Sequence, residues 1–186
     1  MLEELRLAER QAHERIERVE AAIRAAVPDW SLCDVVAALQ AVRGINLITA
    51  VTLMAEIGDM TRFPSASDLM GYLGLVPKEE STGDRVRRSG ITKAGNSRAR
   101  TALVEASWSY RHPPRLGREK MAKVDAAPEA ARGIAWKAQT RLSARFRQLV
   151  RKNKRPTVVA TAIARELAGF VWAIGQVVPT PSAGAR

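Results

Sequence analysis

Apolar side chains in this sequence recur every three or four residues, and no β-branched run alternates with period two. Spacing near 3.6 puts such residues on one side of a helix, whereas a half-buried strand needs period two. The pattern predicts an all-α chain, cut into segments by glycine and proline. In the first segment Leu2, Leu5, Glu9, Ala12, Ile16, Val19, Ile23 and Ala26 follow spacings of 3 and 4 in alternation. That is a heptad a/d seam with only Glu9 polar. Glu14–Arg18 and Glu20–Arg24 add i,i+4 pairs. Residues 1–28 are therefore read as a coiled-coil-like helix ended by Pro28. Its seam fits either a second copy of the chain or the helix's own domain.

Residues 34–176 read as one helical domain. Asp34 is expected to cap a helix through Val35, Val36, Leu39 and Val42. The turn Arg43-Gly44-Ile45-Asn46 follows, then a helix through Leu47, Val51, Met54 and Ile57 closed by Gly58. This unit, 35–58, is helix-hairpin-helix-like, with Asn46 expected to take a positive φ where a glycine would be easiest. Such a turn can aim backbone N–H groups at phosphate, which selects Arg43, Gly44 and Asn46 as nucleic-acid contacts. A tight helical turn inside a core is the other reading. Next, Ser65 or Ser67 caps a short helix carrying Leu69, Met70, Tyr72 and Leu73, stopped by Gly74 and Pro77.

Residues 77–95 hold turn residues, the adjacent hydroxyls Ser81 and Thr82, and the cations Arg85, Arg87, Arg88 and Lys93. With so little apolar periodicity they are expected to form a basic irregular loop, with a possible hairpin near 85–91. Asn96 or Ser97 then caps a helix through Ala99, Leu103, Ala106, Ser107 and Tyr110. Arg98 and Arg100 near its start oppose the helix dipole, a cost that suits arginines used on phosphate. A polar connector is expected at 115–127. Two long amphipathic helices complete the domain, at 128–153 and 157–177. The first carries Lys137, Arg141, Arg145, Gln148 and Lys152 beside its apolar face. Residues 179–186, rich in Pro, Ser, Gly and Ala, are expected to be disordered.

Charge bounds the function. The chain carries a formal +11, yet residues 1–81 sum to −5 while residues 82–155 hold 20 Lys/Arg against 5 Asp/Glu. A block this basic is the footprint of a nucleic-acid partner, with an acidic membrane surface as the rival. No stretch reads as a membrane span, and the charged N-terminal region lacks the apolar core of a signal peptide. A single cysteine, Cys33, excludes a disulfide framework and a Cys-rich zinc site. With only His13 and His112, a His-based metal site or a Ser-His-Asp triad is not expected. A cytoplasmic, nucleoid-associated setting fits these features.

Several strings resemble a known family. AVRGINLITAVTLMAEIGDMTRF and LMGYLGLVPKEESTGDRVRRSGITKAGNSRAR, followed by ALVEASWSYRHPP, IAWKAQTRLSARFRQL and IARELAGFVWAI, look like the C-terminal domain of IS110/IS116/IS902 insertion-sequence transposases. The resemblance covers about residues 35–175. It rests most on G-I-T-K-x-G-N with an S/T-G turn upstream. It implies a DNA-binding domain of an RNA-guided transposase, acting in DNA transposition and recombination. In such proteins a RuvC-like domain holds Mg²⁺ on an Asp-Glu-Asp-Asp set, a coiled coil follows, and this domain supplies a serine. The serine attacks DNA and forms a 5′-phosphoserine link. A bridge RNA pairs with target and donor DNA, and oligomers join the acidic domain of one subunit to the serine of another.

Carried onto this sequence, the nucleophile is Ser81 or Thr82. Thr82 directly precedes Gly83, while Ser81 is the less crowded primary alcohol. Arg85, Arg87, Arg88 and Lys93 would steady the phosphorus-centred transition state, with Asn96, Arg98, Arg100, Lys137 and Arg141 on flanking nucleic acid. A serine hydroxyl needs activation, and Glu79, Glu80 and Asp84 are expected to be solvated. Mg²⁺ is therefore expected only in the acidic domain, ~150 residues that this chain is expected to lack, and no cofactor on the chain itself. Expected partners are DNA, a bridge-type guide RNA and further copies through residues 2–26, with no membrane. The alternative is a catalytically inactive, truncated nucleic-acid-binding remnant or accessory module.

Overall fold

A computed structural model describes the backbone of residues 1–82 and 85–178, with side chains outside 79–89. The tail at 179–186, expected to be disordered, lies outside the described residues. Eight α-helices and one two-stranded ribbon are present among the described residues. The all-α expectation holds.

Helix α1 spans Leu2–Ala26, and none of its residues is buried. Its charges favour the helix dipole, with Glu3 and Glu4 in the first turn and Arg24 in the last. Arg24 also donates to Glu20 at 2.7 Å, one of the expected i,i+4 pairs. A single 3-10 turn, Val27–Asp29, follows. Helix α2 spans Cys33–Leu39. It departs from expectation at both ends. Asp34 lies inside the first turn and caps nothing; Leu32 stands at the cap position. The α-helical ladder stops at Leu39, because Gln40, Ala41 and Val42 turn inward through i→i−3 bonds.

Helix α3, Leu47–Ile57, ends at Gly58 with φ 70°, as expected of a C-terminal glycine. Helix α4, Ala66–Tyr72, begins with a full capping box: Ser65 accepts from Asp68 N–H while Asp68 accepts from Ser65 N–H. Of the two serines considered, Ser65 is the cap. Strands β1 (Pro77–Thr82) and β2 (Arg85–Ile91) pair antiparallel, with an irregularity between Pro77 and Glu79. The basic loop is thus a β-ribbon, longer than the expected hairpin. Helix α5 spans Ser97–Ser107, and Asn96 is its cap. Residues 115–127 are not only a connector: they contain helix α6, Arg118–Ala126. Helices α7 (Glu129–Arg151) and α8 (Pro156–Val177) follow, the latter with proline at its first turn, where no N–H is missed.

Helix α8 organises the packing. It lies against α7, α5, α4 and α2. Val159, Ile163, Leu167, Val171 and Ile174 are fully buried, with Phe170 partly so. Its C-terminal end is tied to the turn before α4, where Trp172 Nε1 donates to Phe63 O at 2.9 Å and Gln176 Nε2 to Met60 O at 3.1 Å. By length and composition it could cross a membrane (mean hydropathy 1.5), but half of it is buried inside this fold and Arg165-Glu166 interrupts it.

Candidate nucleic-acid interface

The GITKAGN string is the clamp that fixes the ribbon to the body. Residues 92–96 run back along the end of α4, with Thr92 N–H on Val76 O (2.9 Å), Lys93 N–H on Gly74 O (3.1 Å) and Asn96 N–H on Tyr72 O (3.1 Å). The chain comes so close that a Cβ at Gly95 would overlap the Tyr72 carbonyl oxygen, and Gly95 holds φ 138°. Only glycine meets both demands. Lys93 itself sits at φ 56°, in the left-handed region, and is exposed.

Asn96 ends the clamp. Its Oδ1 accepts from Ala99 N–H at 2.9 Å, and its Nδ2 donates to Glu56 Oε2 at 2.7 Å. Tyr72 Oη donates to Glu56 O at 2.9 Å. Arg98 Nη1 is 3.4 Å from Glu56 Oε1 with its side chain 82% exposed. Arg100 Nη1 donates inward, to Leu73 O at 2.9 Å. So Asn96 and Arg100 are fastened into the fold, while Arg98 remains presented to solvent. Glu56, the hub of this network, was not singled out from sequence. Its signal was being the only acidic residue between Asp34 and Asp59.

Beyond the clamp the ribbon carries the hydroxyls. In the ladder, Ser81 stands opposite Val86 and Thr82 opposite Arg85, while Glu79 and Glu80 stand opposite Arg88 and Arg87. The side chains of Ser81, Thr82, Arg85, Arg87 and Arg88, and all of Gly83 and Asp84, lie outside the described residues. Five residue steps separate Pro77 from Thr82, about 17 Å at ~3.3 Å per residue.

At the ribbon's root a cleft of about 820 Å³ opens between β1–β2, α4, α7 and α8. Among the described residues Lys93, Arg141, Arg145 and Arg165 line it, with Glu166 as the one carboxylate. Arg141 Nε reaches Glu166 Oε2 at 3.0 Å and Arg145 Nε reaches Glu166 Oε1 at 3.4 Å. Lys93 and Arg141 were expected on nucleic acid. Arg145 shared the predicted face, while Arg165 and Glu166 went unnoticed although they are the only charges in α8. Lys137 is exposed on α7 outside the cleft lining.

Arg43, Gly44 and Asn46 lie apart from this cleft. Asn46 does not adopt a positive φ: it is extended at φ −97° and caps α3, its Oδ1 accepting from Thr49 N–H at 2.8 Å. Gly44 does turn left-handed, at φ 82°, pressed on the end of α5. Arg43 Nη1 donates to Pro113 O at 2.8 Å, and Arg43 O accepts from the buried Tyr110 hydroxyl at 2.9 Å. Lys120 donates to Gln40 O, and to Ile45 O at 2.9 Å. Three carbonyls of this turn, those of Gln40, Arg43 and Ile45, are thus taken up by the fold. Burial lowers the Arg43 guanidinium from its usual value, with Arg115 nearby acting in the same direction. It also lowers Lys120 to about 8 and raises the Tyr110 phenol.

Among the described residues, no three His, Cys, Asp or Glu side chains come together to hold a metal ion.

A sequence profile of the Transposase IS116/IS110/IS902 family matches residues 36–120. That stretch runs from α2 through the hairpin, ribbon and clamp into α6. Over these residues the chain is similar to the Transposase IS116/IS110/IS902 family. The chain is 58% identical over 160 residues to y4qE of Sinorhizobium fredii, a protein named as a transposase. The match covers 86% of this chain and 41% of y4qE. It is 28% identical over 161 residues to the transposase for insertion sequence element IS1328 of Yersinia enterocolitica, covering 87% of this chain and 41% of that protein. Over 69 residues it is 33% identical to the transposase for IS1111A of Coxiella burnetii, covering 37% of this chain and 19% of that one. The chain thus spans about two fifths of the length of y4qE, and Ser81, Thr82 and the clamp all fall within the family segment.

Proposed function

We propose that this chain is the strand-attacking part of an insertion-sequence transposase acting in DNA transposition. The observation that carries the reading is a ribbon inside the family-matched segment that ends in two adjacent hydroxyls and returns through three arginines. Either Ser81 or Thr82 supplies the nucleophile. Its oxygen forms a new bond to phosphorus, the bond from phosphorus to the 3′-oxygen breaks, and the hydroxyl proton ends on the departing 3′-oxygen. Arg85, Arg87 and Arg88 stabilise the charge that builds on the phosphoryl oxygens, while Lys93, at the ribbon root, meets a flanking phosphate. The clamp supports this role by anchoring the ribbon's base with backbone bonds, which limits the positional freedom of the attacking group. DNA is the substrate, and a bridge-type guide RNA supplies its address.

The acidic, Mg²⁺-holding set belongs to a separate domain of the same family architecture. Helix α1 brings copies together through its seam, whose Leu2, Leu5, Ile16 and Val19 are more than half exposed. A nucleic-acid-binding role without chemistry is the second reading, favoured by the lack of a carboxylate cluster among the described residues.

The test combines this chain with the part of y4qE that it does not cover, guide RNA, Mg²⁺ and labelled element-end DNA. A protease-sensitive, covalently labelled band on a denaturing gel is expected, abolished by Ser81→Ala or by Thr82→Ala. A covalent band that survives the double variant refutes the hydroxyl assignment. Binding with no covalent product supports the second reading.

A further inference from the structure

We propose that the cleft at the ribbon root is a subsite for a single-stranded segment of nucleic acid, gripped by its phosphates. The inference rests on the reading above and deepens it by naming the form of nucleic acid and where it runs. Arg141 and Arg145 converge on the two oxygens of Glu166 at 3.0 and 3.4 Å, so the fold already aims two guanidiniums at one oxyanion across α7 and α8. A phosphate presents the same target. Lys93 and Arg165 bring the cleft's cations to four against that one carboxylate among the described residues. Such an excess selects a polyanion.

Shape selects the strand form. A duplex offers a convex surface with its bases turned inward. This cleft is concave, and between the cations its walls are apolar: Met70, Leu75, Ile91 and Val158 line it, and Val158 is 53% exposed. An apolar floor beneath a cationic rim suits the sugars and base faces that only a single strand exposes. Among the described residues no aromatic ring lines the cleft, so binding is expected to be sequence-tolerant and strongly salt-dependent.

Position ties the cleft to the chemistry. Pro77 and Ile91 at the ribbon root line it, and Thr82 lies about 17 Å along β1 at ~3.3 Å per residue. At the ~3.4 Å rise of a B-form strand that is about five nucleotides, and fewer for a more extended single strand. The cleft would hold the strand beside the scissile phosphate, leaving the phosphate itself at the ribbon tip.

The experiment titrates the full chain against a fluorescein-labelled 20-nucleotide single-stranded DNA and against its duplex, across a salt series. For the single strand, log K should fall with log salt, and Arg145→Ala/Arg165→Ala should reduce the slope by about 1.4, at ~0.7 per phosphate contact. The duplex slope should not change. Val158→Glu, which places a carboxylate on the exposed floor, should weaken single-strand binding at least fivefold and leave the duplex unaffected. Thermal melting checks that each variant is folded. An unchanged single-strand slope, or equal losses for strand and duplex, overturns the inference and leaves the proposed function standing. A wild-type chain that binds neither form at low salt removes the proposed function as well.

Discussion

Asn96→Ala separates a structural clamp from a nucleic-acid contact. Two interactions would be lost. The N-cap of α5, with Oδ1 at 2.9 Å from Ala99 N, contributes about 1 kcal/mol. The bond from Nδ2 to the Glu56 carboxylate at 2.7 Å has a charged acceptor and contributes about 2 kcal/mol. The sum is about 3 kcal/mol. For a chain of this size that lowers Tm by roughly 6–12 °C. Asn96→Asp keeps the cap but sets a second carboxylate against Glu56. The like charges repel, so this variant should be less stable than wild type at neutral pH. Adding Glu56→Gln should restore its stability at neutral pH. Scanning calorimetry reads the melting shift. DNA affinity, measured well below Tm, should change less than threefold. A tenfold loss of affinity with an unchanged Tm would refute the clamp and return Asn96 to the nucleic acid.

Three further outcomes follow from the same geometry. Gly95→Ala should destabilise the chain by about 1–3 kcal/mol through its strained φ, with more from overlap with Tyr72 O; a urea midpoint equal to wild type would contradict the clamp. Lys120, lowered by burial to about 8, binds fewer protons folded than unfolded between that value and its usual ~10.4. Stability should therefore rise by about 2 kcal/mol from pH 7.5 to 9.5. Neutral Lys120 keeps two N–H groups for its two carbonyls. Urea midpoints at the two pH values should show this rise in wild type and not in Lys120→Met. Finally, Ile16→Glu/Val19→Glu should dissolve self-association in sedimentation velocity while moving Tm by no more than about 0.5 kcal/mol equivalent, because no α1 residue is buried.

Much of the fold was readable because helical periodicity is local physics. The buried faces of α7 and α8, the Ser65 cap and the Gly58 stop all depend on residues a turn or so apart. The ribbon was less visible because Pro77–Thr82 reads PKEEST, with no apolar alternation. Its strand character comes from pairing with β2 and from the clamp at its root. Helix α6 was missed for a related reason: it has no buried residue of its own, and what ties it down is Lys120 reaching carbonyls 75 and 80 residues away.

The candidate site divides along the same line. Charge alone selected the basic block, and the resemblance to a known family selected the two hydroxyls and the GITKAGN string; neither needed tertiary information. Which cations serve a common surface was decided only in three dimensions. Arg141 and Arg145 meet Glu166 across about two dozen residues, Lys93 joins them from the ribbon, and Asn96 turns away to Glu56, 40 residues back. Periodicity tells a side chain which face of its own helix it occupies. Only the packing of one helix against another determines what that face meets.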